Sequence, residues 1–380
     1  MRSKNEKAKI LMIGSFLPTI TGQSIATQFI YDHLIQKGAT VRAIKLPEKG
    51  KTSSLVSIFW LLLGYVRFYV SCFLTLICFG RLVYLTGAKS VFGTLRNVPI
   101  VLIGKLLGRE IIIHYHCGDY KAFHDKQGQT FRRISVWLNR SADSIVVVSK
   151  SLIPGFAVYD GIESKIKVIP NGVDVPSKLP SRSLLRPLRI LYLSNLIVSK
   201  GYLDVLRAID IVVNTECEPG VHLTICGKIL NSADDETVLS ESERLEELQD
   251  FISSRGLQGN ISYVGIAVGD TKTRLLTESH LFILPTYYYV EALPISILEA
   301  MANGSVVITT NFRGIPDMIS DGVTGVIVPP KSPGSIANAI IELLRSEKTR
   351  ELLATNAYEL VRREFTFERN RILLDELFRL

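Results

Sequence analysis

Residues 281–304 read LFILPTYYYVEALPISILEAMANG, and the fold assignment starts from this stretch. The apolar run 281–284 predicts a buried strand, which Pro285 ends. Pro294 suits the first position of a helix, where its missing N–H costs nothing, and Gly304 suits the residue after a helix ends. We therefore predict a strand, a short aromatic loop and a helix that begins at about Pro294.

Two carboxylates flank the start of this helix: Glu291 in the loop before it and Glu299 inside it. Burying a carboxylate beside so apolar a helix is costly unless the charge has a partner. A sugar nucleotide would supply partners, because its sugar hydroxyls could reach Glu291 and its ribose hydroxyls could reach Glu299. Its diphosphate could bind the free N–H groups at the helix N-terminus, around Leu293, Pro294 and Ile295. The alternative is that one carboxylate is a solvated loop charge and the other a paired helix charge.

Three segments carry a resemblance to a known family: Glu291–Gly304, the RGIP sequence at 313–316 and the DGVTG sequence at 321–325. They resemble the signature half of the GT-B, family 4 retaining glycosyltransferases (glycosyl transferases group 1). The resemblance implies an α/β protein of two doubly wound, Rossmann-like domains, with the active site in the cleft between them. It also implies a nucleoside-diphosphate sugar as donor, retention at the anomeric carbon, and no bound metal or other cofactor.

The length of 380 residues and the hydrophobic content of 47% allow two domains with sizeable cores. Strand–loop–helix patterns begin near Lys9 and again near Leu188, which supports two similar doubly wound domains. We predict an N-terminal, acceptor-side domain at 1–180 and a C-terminal, donor-binding domain at 188–365, with a linker around 176–187. By the resemblance, a terminal helix at 366–380 crosses back to the N-terminal domain.

The charge is distributed unevenly along the chain. Residues 1–186 carry 26 Lys and Arg against 10 Asp and Glu, a net charge of +16, whereas residues 187–380 carry 18 against 26, a net charge of −8. This asymmetry predicts that the first half meets an anionic membrane surface or nucleic acid. Nucleic acid is disfavoured, because the first half has no compact basic-aromatic motif. Five scattered cysteines without zinc-site spacing favour reduced thiols in the cytoplasm.

Residues 55–79 are apolar except for Arg67, and the segment is long enough to span a bilayer. Spanning is disfavoured, because Arg67 would lie near mid-membrane and strands of one sheet would lie on opposite sides. We predict one or two helices, partly core and partly in contact with an anionic membrane surface, with Lys49, Lys51 and Arg81 as basic flanks. A purely core role is the alternative. The protein is thus expected in the cytoplasm, peripheral on the cytoplasmic face of the membrane.

Two features of the first half are candidates for the site. Gly22 lies on the loop expected after the first strand, and by the resemblance it lets the donor diphosphate approach; the alternative is a plain turn glycine. His114 and His116 share one face at the end of a predicted strand, and ligands of open α/β sheets bind at the carboxyl ends of strands. By the resemblance, His116 touches the donor sugar. A metal-binding histidine pair would lack a third ligand nearby.

Three further residues are candidates for the site: two lie in the second half of the chain and one lies shortly before it. Lys200 lies in a strand–helix loop, where it could reach a diphosphate, although it could also be a surface lysine. The family usually has arginine at the position of Asn195, so an amide replaces a fixed cation, but Asn195 can still hydrogen-bond a phosphate. Asn171 belongs to a PNGVD run that the family places at the entrance of the cleft. On its own, this run reads as a turn.

Together these residues predict a transfer reaction. Lys200 and the helix N–H groups should stabilise the leaving diphosphate, while two side chains orient the sugar. The predicted catalytic residues are Glu291, His116 and Lys200, and the predicted donor-binding residues are Gly22, Asn171, Asn195, Lys200, Leu293, Pro294, Ile295 and Glu299. The predicted acceptor is a lipid-linked saccharide or a cell-surface polysaccharide. A soluble small-molecule acceptor is one alternative, and a nucleotide-sugar-binding protein without turnover is another.

Overall fold

The computed structural model describes residues 8–17, 22–47, 55–118, 120–156, 161–180, 187–232, 235 and 238–380. The chain forms two compact units, Met1–Pro170 with Asn370–Leu380, and Asn171–Arg369. The division at Asn171 precedes the linker predicted around 176–187, of which residues 181–186 lie outside the described ranges. Each unit has its own sheet.

The first unit is built on a six-stranded parallel sheet with the order β2-β1-β3-β4-β5-β6. Its strands are β1 Lys9–Gly14, β2 Thr40–Lys45, β3 Leu82–Thr86, β4 Glu110–Tyr115, β5 Ser144–Val147 and β6 Ile166–Val168. Its helices are α1 Gly22–Gln36, α2 Leu55–Cys78, α3 Val91–Leu106, α4 Tyr120–Asp125 and α5 Gln129–Ser141. The central strands are apolar runs buried on both faces, as expected where helices cover a parallel sheet.

The second unit repeats this architecture with the strand order β12-β11-β10-β7-β8-β9, again all parallel. Its strands are β7 Leu188–Leu193, β8 Val221–Cys226, β9 Ile261–Gly265, β10 Leu281–Leu284, β11 Val306–Thr310 and β12 Val326–Val328. Its helices are α6 Tyr202–Asp210, α7 Glu241–Ser254, α8 Gly269–Glu278, α9 Ile295–Ala302, α10 Pro333–Arg345 and α11 Glu347–Glu364. The terminal helix, α12 Phe367–Phe378, follows.

The stretch that opened the sequence analysis folds as a strand, a loop and a helix. Pro294 is the N-cap of α9 and not its first helical residue, so the predicted start is wrong by one position. The difference arises because Pro294 has an extended backbone, with ψ of 114°. Asn303 is the C-cap, and Gly304 follows with a φ of 76°. A glycine tolerates this left-handed conformation without steric cost, so the predicted end of the helix is confirmed.

Helix α3 begins eight residues before Pro99, although proline by itself favours the first turn of a helix. In α3 the side chain of Ser90 caps the helix by accepting a hydrogen bond from the N–H of Gly93, and Pro99 lies inside the helix. Proline is normally tolerated only in the first turn, because it removes one helical hydrogen bond. Here buried side chains of α3 pack against the sheet and outweigh that loss.

Residues 370–380 belong to the first unit. Leu374 and Phe378 of α12 are buried in the same core cluster as Met12 of β1. Asp375 hydrogen-bonds the ring of His33 on α1, with 2.8 Å between Oδ1 and Nε2. The last turns of α12 are therefore held to the first unit by apolar packing and by a polar contact.

Residues 55–78 form one helix, α2, and the predicted flanks Lys49 and Lys51 lie outside the described residues. Phe68, Cys72 and Leu76 on one side of α2 are buried, so that side is part of the core. By length and hydropathy, Phe59–Cys78 is the only segment in the described ranges that could cross a membrane. Most of this segment is not buried by the rest of the protein.

Candidate functional site

The loops of the second sheet meet where its strand order reverses. From β7, strands β8 and β9 extend to one side, and β10, β11 and β12 extend to the other. Ligands of open α/β sheets bind outside the carboxyl ends of the strands at such a switch point. The loop after β7 carries Lys200 and the loop after β10 carries Glu291. The topology therefore brings two of the predicted catalytic residues to one edge of the sheet.

Lys200 and Glu291 form an ion pair. The Nζ atom of Lys200 lies 3.3 Å from Oε2 of Glu291, and the two side chains are 15% and 11% exposed. Nζ also donates a hydrogen bond to Oγ of Ser194, at 3.0 Å, and lies 5.5 Å from the ring centroid of Tyr288. A lysine held this way is not a surface lysine, and the carboxylate is not a solvated loop charge.

The two loops that carry this pair are tied to each other. The N–H of Tyr287 donates to the carbonyl oxygen of Ser199, at 2.8 Å. Gly201 has a φ of 81°, and a Cβ there would lie 2.6 Å from the carbonyl oxygen of Pro285. Only glycine fits such a left-handed residue against a neighbouring backbone. This close approach fixes the spacing between the β7 and β10 loops.

Two buried hydroxyl groups also contact the residues of the ion pair. Oγ1 of Thr286 lies 3.4 Å from Oε2 of Glu291 and accepts a hydrogen bond from the N–H of Tyr288, at 3.2 Å. The hydroxyl of Tyr192 lies 3.4 Å from the carbonyl oxygen of Lys200. Burial, with smaller contributions from Tyr202 and Glu291, raises the pKa of Tyr192, so this phenol stays a neutral donor.

The N-terminus of α9 adjoins Glu291. Pro294 offers no side-chain cap, so the first-turn N–H groups of Ile295 and Ser296 gain no partner from the N-cap side chain. Such N–H groups, with the positive end of the helix dipole, favour an anion. Asn171 also reaches this loop, because its Nδ2 donates to the carbonyl oxygen of Leu293, at 3.1 Å. Asn171 thus supports the loop before α9 within the second unit.

The RGIP sequence at 313–316 packs on the other side of this loop. The N–H of Gly314 donates to the carbonyl oxygen of Ala292, at 2.9 Å. Ile315, which follows it, is fully buried. This contact anchors the residue next to Glu291.

Glu299 has a partner that the sequence did not indicate. Its Oε1 lies 2.6 Å from Nζ of Lys272, and the side chains of the glutamate and the lysine are 23% and 33% exposed. Lys272 lies on α8, a helix that the sequence analysis missed because only Leu276 of its residues is buried. Without an apolar periodicity, nothing in the sequence pointed to Lys272.

Asn195 lies in the β7 loop with an exposed side chain. Its backbone carbonyl accepts a hydrogen bond from the N–H of Ile197, at 3.0 Å. The loop is therefore ordered by its backbone. The amide side chain is at the surface, at the same edge of the sheet as Lys200.

His114 and His116 form a second candidate cluster, in the first unit. Their ring centroids are 3.9 Å apart, which confirms that they share a face at the end of β4. A hydrogen bond of 2.8 Å joins Nδ1 of His114 to the hydroxyl of Tyr84. Among the described residues, none hydrogen-bonds the buried Nε2 of His116.

Both histidines are neutral at physiological pH. Burial lowers the pKa of His116 to about 4. Burial and the neighbouring His116 lower the pKa of His114 well below its ordinary value. A neutral imidazole can hydrogen-bond a hydroxyl group but does not supply a positive charge.

The predicted Gly22 lies elsewhere than expected. It is the first residue of α1, not part of the preceding loop, and it is exposed. A Cβ at this position would meet no atom within 4 Å in the described structure. The loop after β1 is therefore shorter than expected, because α1 already begins at Gly22.

Two family models match the chain. Residues 180–360 match the family described as glycosyl transferases group 1, and residues 96–176 match Glycosyltransferase Family 4. The first match contains the whole second sheet with Lys200, Glu291 and Glu299, and the second contains His114 and His116. The chain belongs to the group 1, family 4 glycosyltransferases.

Two curated relatives illustrate the match. An uncharacterized glycosyltransferase of Methanocaldococcus jannaschii is 26% identical over 239 residues, which cover 59% of this chain and 56% of that protein. A glycogen synthase of Mycobacterium tuberculosis is 26% identical over 239 residues, which cover 62% of this chain and 53% of that protein. The chain spans about half the length of the curated relatives that it matches.

A solved structure shows the same fold over nearly the whole chain. The crystal structure of HepE from Anabaena in complex with UDP and glucose superposes with a TM-score of 0.72 at 18% identity. The match covers 98% of this chain and 100% of that chain. This glycosyltransferase chain therefore has the GT-B fold of two Rossmann-like domains, as predicted.

Within the described ranges, no three His, Cys, Asp or Glu side chains cluster as a metal site would require. Because part of the chain lies outside those ranges, metal independence stays a prediction.

Proposed function

We propose that the protein is a retaining glycosyltransferase that moves a sugar from a nucleoside-diphosphate sugar to a lipid-linked saccharide or a cell-surface polysaccharide. The observation that carries the proposal is the ion pair of Lys200 and Glu291, 3.3 Å apart at the β7–β10 switch point. A cation and a carboxylate beside a helix N-terminus offer both kinds of partner that such a donor needs.

The site must first stabilise the diphosphate that leaves the sugar. Breaking the bond between the sugar and the diphosphate leaves negative charge on the phosphate oxygens. Lys200 and the first-turn N–H groups of Ile295 and Ser296 would stabilise that charge without rearranging, because both loops are already fixed. The family resemblance implies that no metal is needed, so a chelator should leave the rate unchanged.

The site must also bind the hydroxyl groups of the transferred sugar and of the ribose. The carboxylate of Glu291 would accept hydrogen bonds from sugar hydroxyls. These hydroxyls would compete with Lys200 for the carboxylate oxygens of Glu291. Glu299 would accept from the ribose hydroxyls. Because Lys272 holds only Oε1 of Glu299, the other carboxylate oxygen is available for the ribose.

Retention at the anomeric carbon is the part of the proposal that rests on the family resemblance. The two carboxylates at the site have separate roles, one toward the sugar and one toward the ribose. They do not form the pair that a retaining hydrolase places around the bond. The anomeric configuration of the product, measured by NMR, tests retention directly.

The acceptor part of the proposal is supported by the basic first half of the chain and by the exposed apolar side chains of α2. Residues 1–186 carry a net charge of +16, and α2 exposes apolar side chains. Such a surface suits a substrate presented at an anionic membrane. A soluble small-molecule acceptor remains the alternative within the same reaction class. Transfer rates to lipid-linked acceptors and to soluble acceptors should be compared with the same donor.

The decisive experiment is a donor screen for nucleotide release in the presence of candidate acceptors. Lys200→Ala and Glu291→Ala should each lower kcat by at least about 100-fold, since each removes a fixed charge from the site. Lys348→Ala, an exposed lysine on α11, is the matched control and should behave like the parent. The proposal fails if both site variants keep parental turnover with the preferred donor.

A binding protein without turnover is the second candidate, and the exposed amide of Asn195 favours it, because the family usually has a cation there. Calorimetric titration separates the two candidates. Tight binding of a sugar nucleotide, with neither transfer nor hydrolysis under any acceptor, would support a binding role. Asn195→Arg should raise turnover if the missing cation limits an active enzyme.

The role predicted for His116 is tested separately. His116→Asn keeps a polar side chain of smaller size, so a large loss of turnover with little change in stability would support a contact with the donor sugar. An unchanged kcat would remove His116 from the catalytic residues.

A further inference from the structure

Helix α2 exposes an apolar stripe along its outer side. Six exposed aliphatic or aromatic residues recur every three or four positions, so they share one face of the helix: Phe59, Leu63, Val66, Val70, Leu74 and Ile77. The opposite side, with Phe68, Cys72 and Leu76, is buried in the first unit. A surface helix normally shows the reverse, with polar residues outward.

The neighbouring helix extends this face. The rings of Tyr65 on α2 and Phe92 on α3 meet edge to face, with centroids 5.4 Å apart. At the other end, Nη2 of Arg109 donates to the carbonyl oxygen of Leu76, at 2.7 Å. The two helices thus pack side by side along their length. The exposed residues Phe92, Leu102 and Leu106 of α3 add to the apolar surface.

The sequence that forms this surface is basic. Residues 49–109 contain eight Lys and Arg and no Asp or Glu. One of the eight, Arg67, is exposed on α2 beside Val66 and Val70. Exposed apolar side chains in a segment with a net positive charge match an anionic lipid surface, where the tails bury the apolar groups and the headgroups face the basic ones. Arg67 is long enough to keep its charge at the headgroups.

A spanning orientation of α2 conflicts with the sheet. Strand β2 precedes α2 and β3 follows it, and both pair with β1. A helix that crossed the bilayer would place β2 and β3 on opposite sides of the membrane. The helix must therefore lie along the membrane surface if it contacts lipid.

A second copy of the chain is less suited than lipid to cover this apolar face. A face-to-face dimer would bury both copies of Arg67 and bring two basic surfaces together, and burying unpaired like charges is costly.

We propose that the outer face of α2 and α3 inserts into the interface of an anionic membrane, with α2 parallel to the membrane plane. By analogy with other interfacial helices, the apolar face would lie about 5–10 Å deep in the headgroup and acyl boundary. The face belongs to the first unit, whereas the donor residues Lys200 and Glu291 belong to the second. Loss of lipid binding and loss of donor chemistry can therefore be separated experimentally.

The first test is sedimentation of the full chain with vesicles of phosphatidylcholine alone or mixed with phosphatidylglycerol. We expect binding to the mixed vesicles at low salt, weaker binding at high salt, and little binding to the neutral ones. Val66→Glu with Val70→Glu should lower the affinity for mixed vesicles by about tenfold or more, because carboxylates would enter an apolar, anionic interface. No binding of the parent protein to mixed vesicles at low salt would overturn the proposal.

A matched control separates this face from general surface effects. Leu352 on α11 of the second unit is 59% exposed, close to the 60% of Val66. Leu352→Glu should leave vesicle binding unchanged. Circular dichroism and nucleotide release from a soluble donor should be unchanged in all variants, which shows that the fold and the donor site are intact. An equal loss of lipid binding in Leu352→Glu would contradict a specific role for α2.

Tryptophan fluorescence reports the depth of α2. The chain has two tryptophans, Trp60 on α2 and Trp137 on α5. In Trp137→Phe, the remaining Trp60 should shift to shorter wavelength with mixed vesicles and be quenched by lipids brominated near the headgroup. Resistance to alkaline extraction would indicate a spanning helix and overturn the proposal, even with shallow quenching, because Trp60 lies near the end of the segment Phe59–Cys78. A lipid-independent dimer lost in the double glutamate variant would instead assign the face to self-association.

Discussion

Nζ of Lys272 lies 2.6 Å from Oε1 of Glu299, and this pair links α8 to the helix that carries the predicted ribose contact. The two residues come from separate elements, β10 and its loop lying between them in the chain. A carboxylate held by one oxygen presents the other in a fixed direction. In the proposed reaction, Lys272 would therefore position Glu299 for the ribose.

Lys272→Met should raise the KM for the donor by roughly twofold to fivefold and change kcat less, since a partly exposed ion pair contributes modestly. The effect should disappear with a donor that lacks the ribose hydroxyl proposed to contact Glu299. Steady-state kinetics with the natural and the deoxy donor measure both. Arg274→Met on the same helix is the control, because Arg274 faces Glu278 at 3.8 Å and not Glu299. Equal effects with both donors would show that Lys272 does not act through the ribose contact of Glu299.

The ion pair of Lys200 and Glu291 should show strong coupling in stability. Each single change to alanine leaves a mostly buried charge without its partner, so the double variant should be less destabilised than the sum of the two. We expect a coupling free energy of about 1–3 kcal/mol from a double-mutant cycle of urea unfolding. The exposed pair Arg189 and Glu278, 2.9 Å apart, is the comparison and should couple by less than about 1 kcal/mol. Similar values for both pairs would contradict the assigned burial.

Gly201→Ala should destabilise the second unit more than Gly256→Ala does. Both glycines have positive φ, 81° and 67°, but only Gly201 has a backbone oxygen 2.6 Å from where the Cβ would lie. The conformational strain alone costs about 1–2 kcal/mol, so Gly256→Ala measures that part. Gly201→Ala adds the clash with Pro285 and should also lower donor turnover, because the β7 and β10 loops would move apart. Equal free energies of unfolding would refute the close approach.

The histidine pair predicts a pH dependence of stability. The pKa of His116 is about 4 in the folded protein and about 6.5 when unfolded. Between these values the unfolded chain binds a proton that the folded chain does not, so the free energy of unfolding should fall as the pH drops from 6.5 toward 4. Urea unfolding as a function of pH measures the slope, and His116→Asn should make it shallower. Carboxylates also titrate in this range, so the informative quantity is the difference in slope between the parent protein and His116→Asn. Identical slopes would exclude the assigned pKa.

The local elements were predictable where the sequence carries both an apolar run and a stop signal. Strand β10 and helix α9 were placed to within about a residue because Pro285, Pro294 and Gly304 restrict the backbone wherever they occur. The prediction failed where such signals mislead or are missing. Pro99 suggested a helix start but lies inside α3, and α8 has too few buried residues to show a helical period.

The candidate residues were found by type and local position, and their partners were not. Glu291 and Lys200 were singled out separately, but nothing in the sequence showed that they pair. That contact follows from the reversal of strand order, which places the β7 and β10 loops side by side. Ser194, Thr286 and Lys272 were missed for the same reason, because their contacts with these residues come from the fold.

By itself the sequence determined the repeating strand–loop–helix pattern, the family and the uneven charge, since these depend on the order and type of residues. The tertiary structure decided which charges meet, which histidine nitrogen is buried, and which side of α2 faces outward. Those properties depend on contacts between residues far apart in the chain. Such contacts arise only when two parallel sheets bury their apolar strands and fix the loops at their edges.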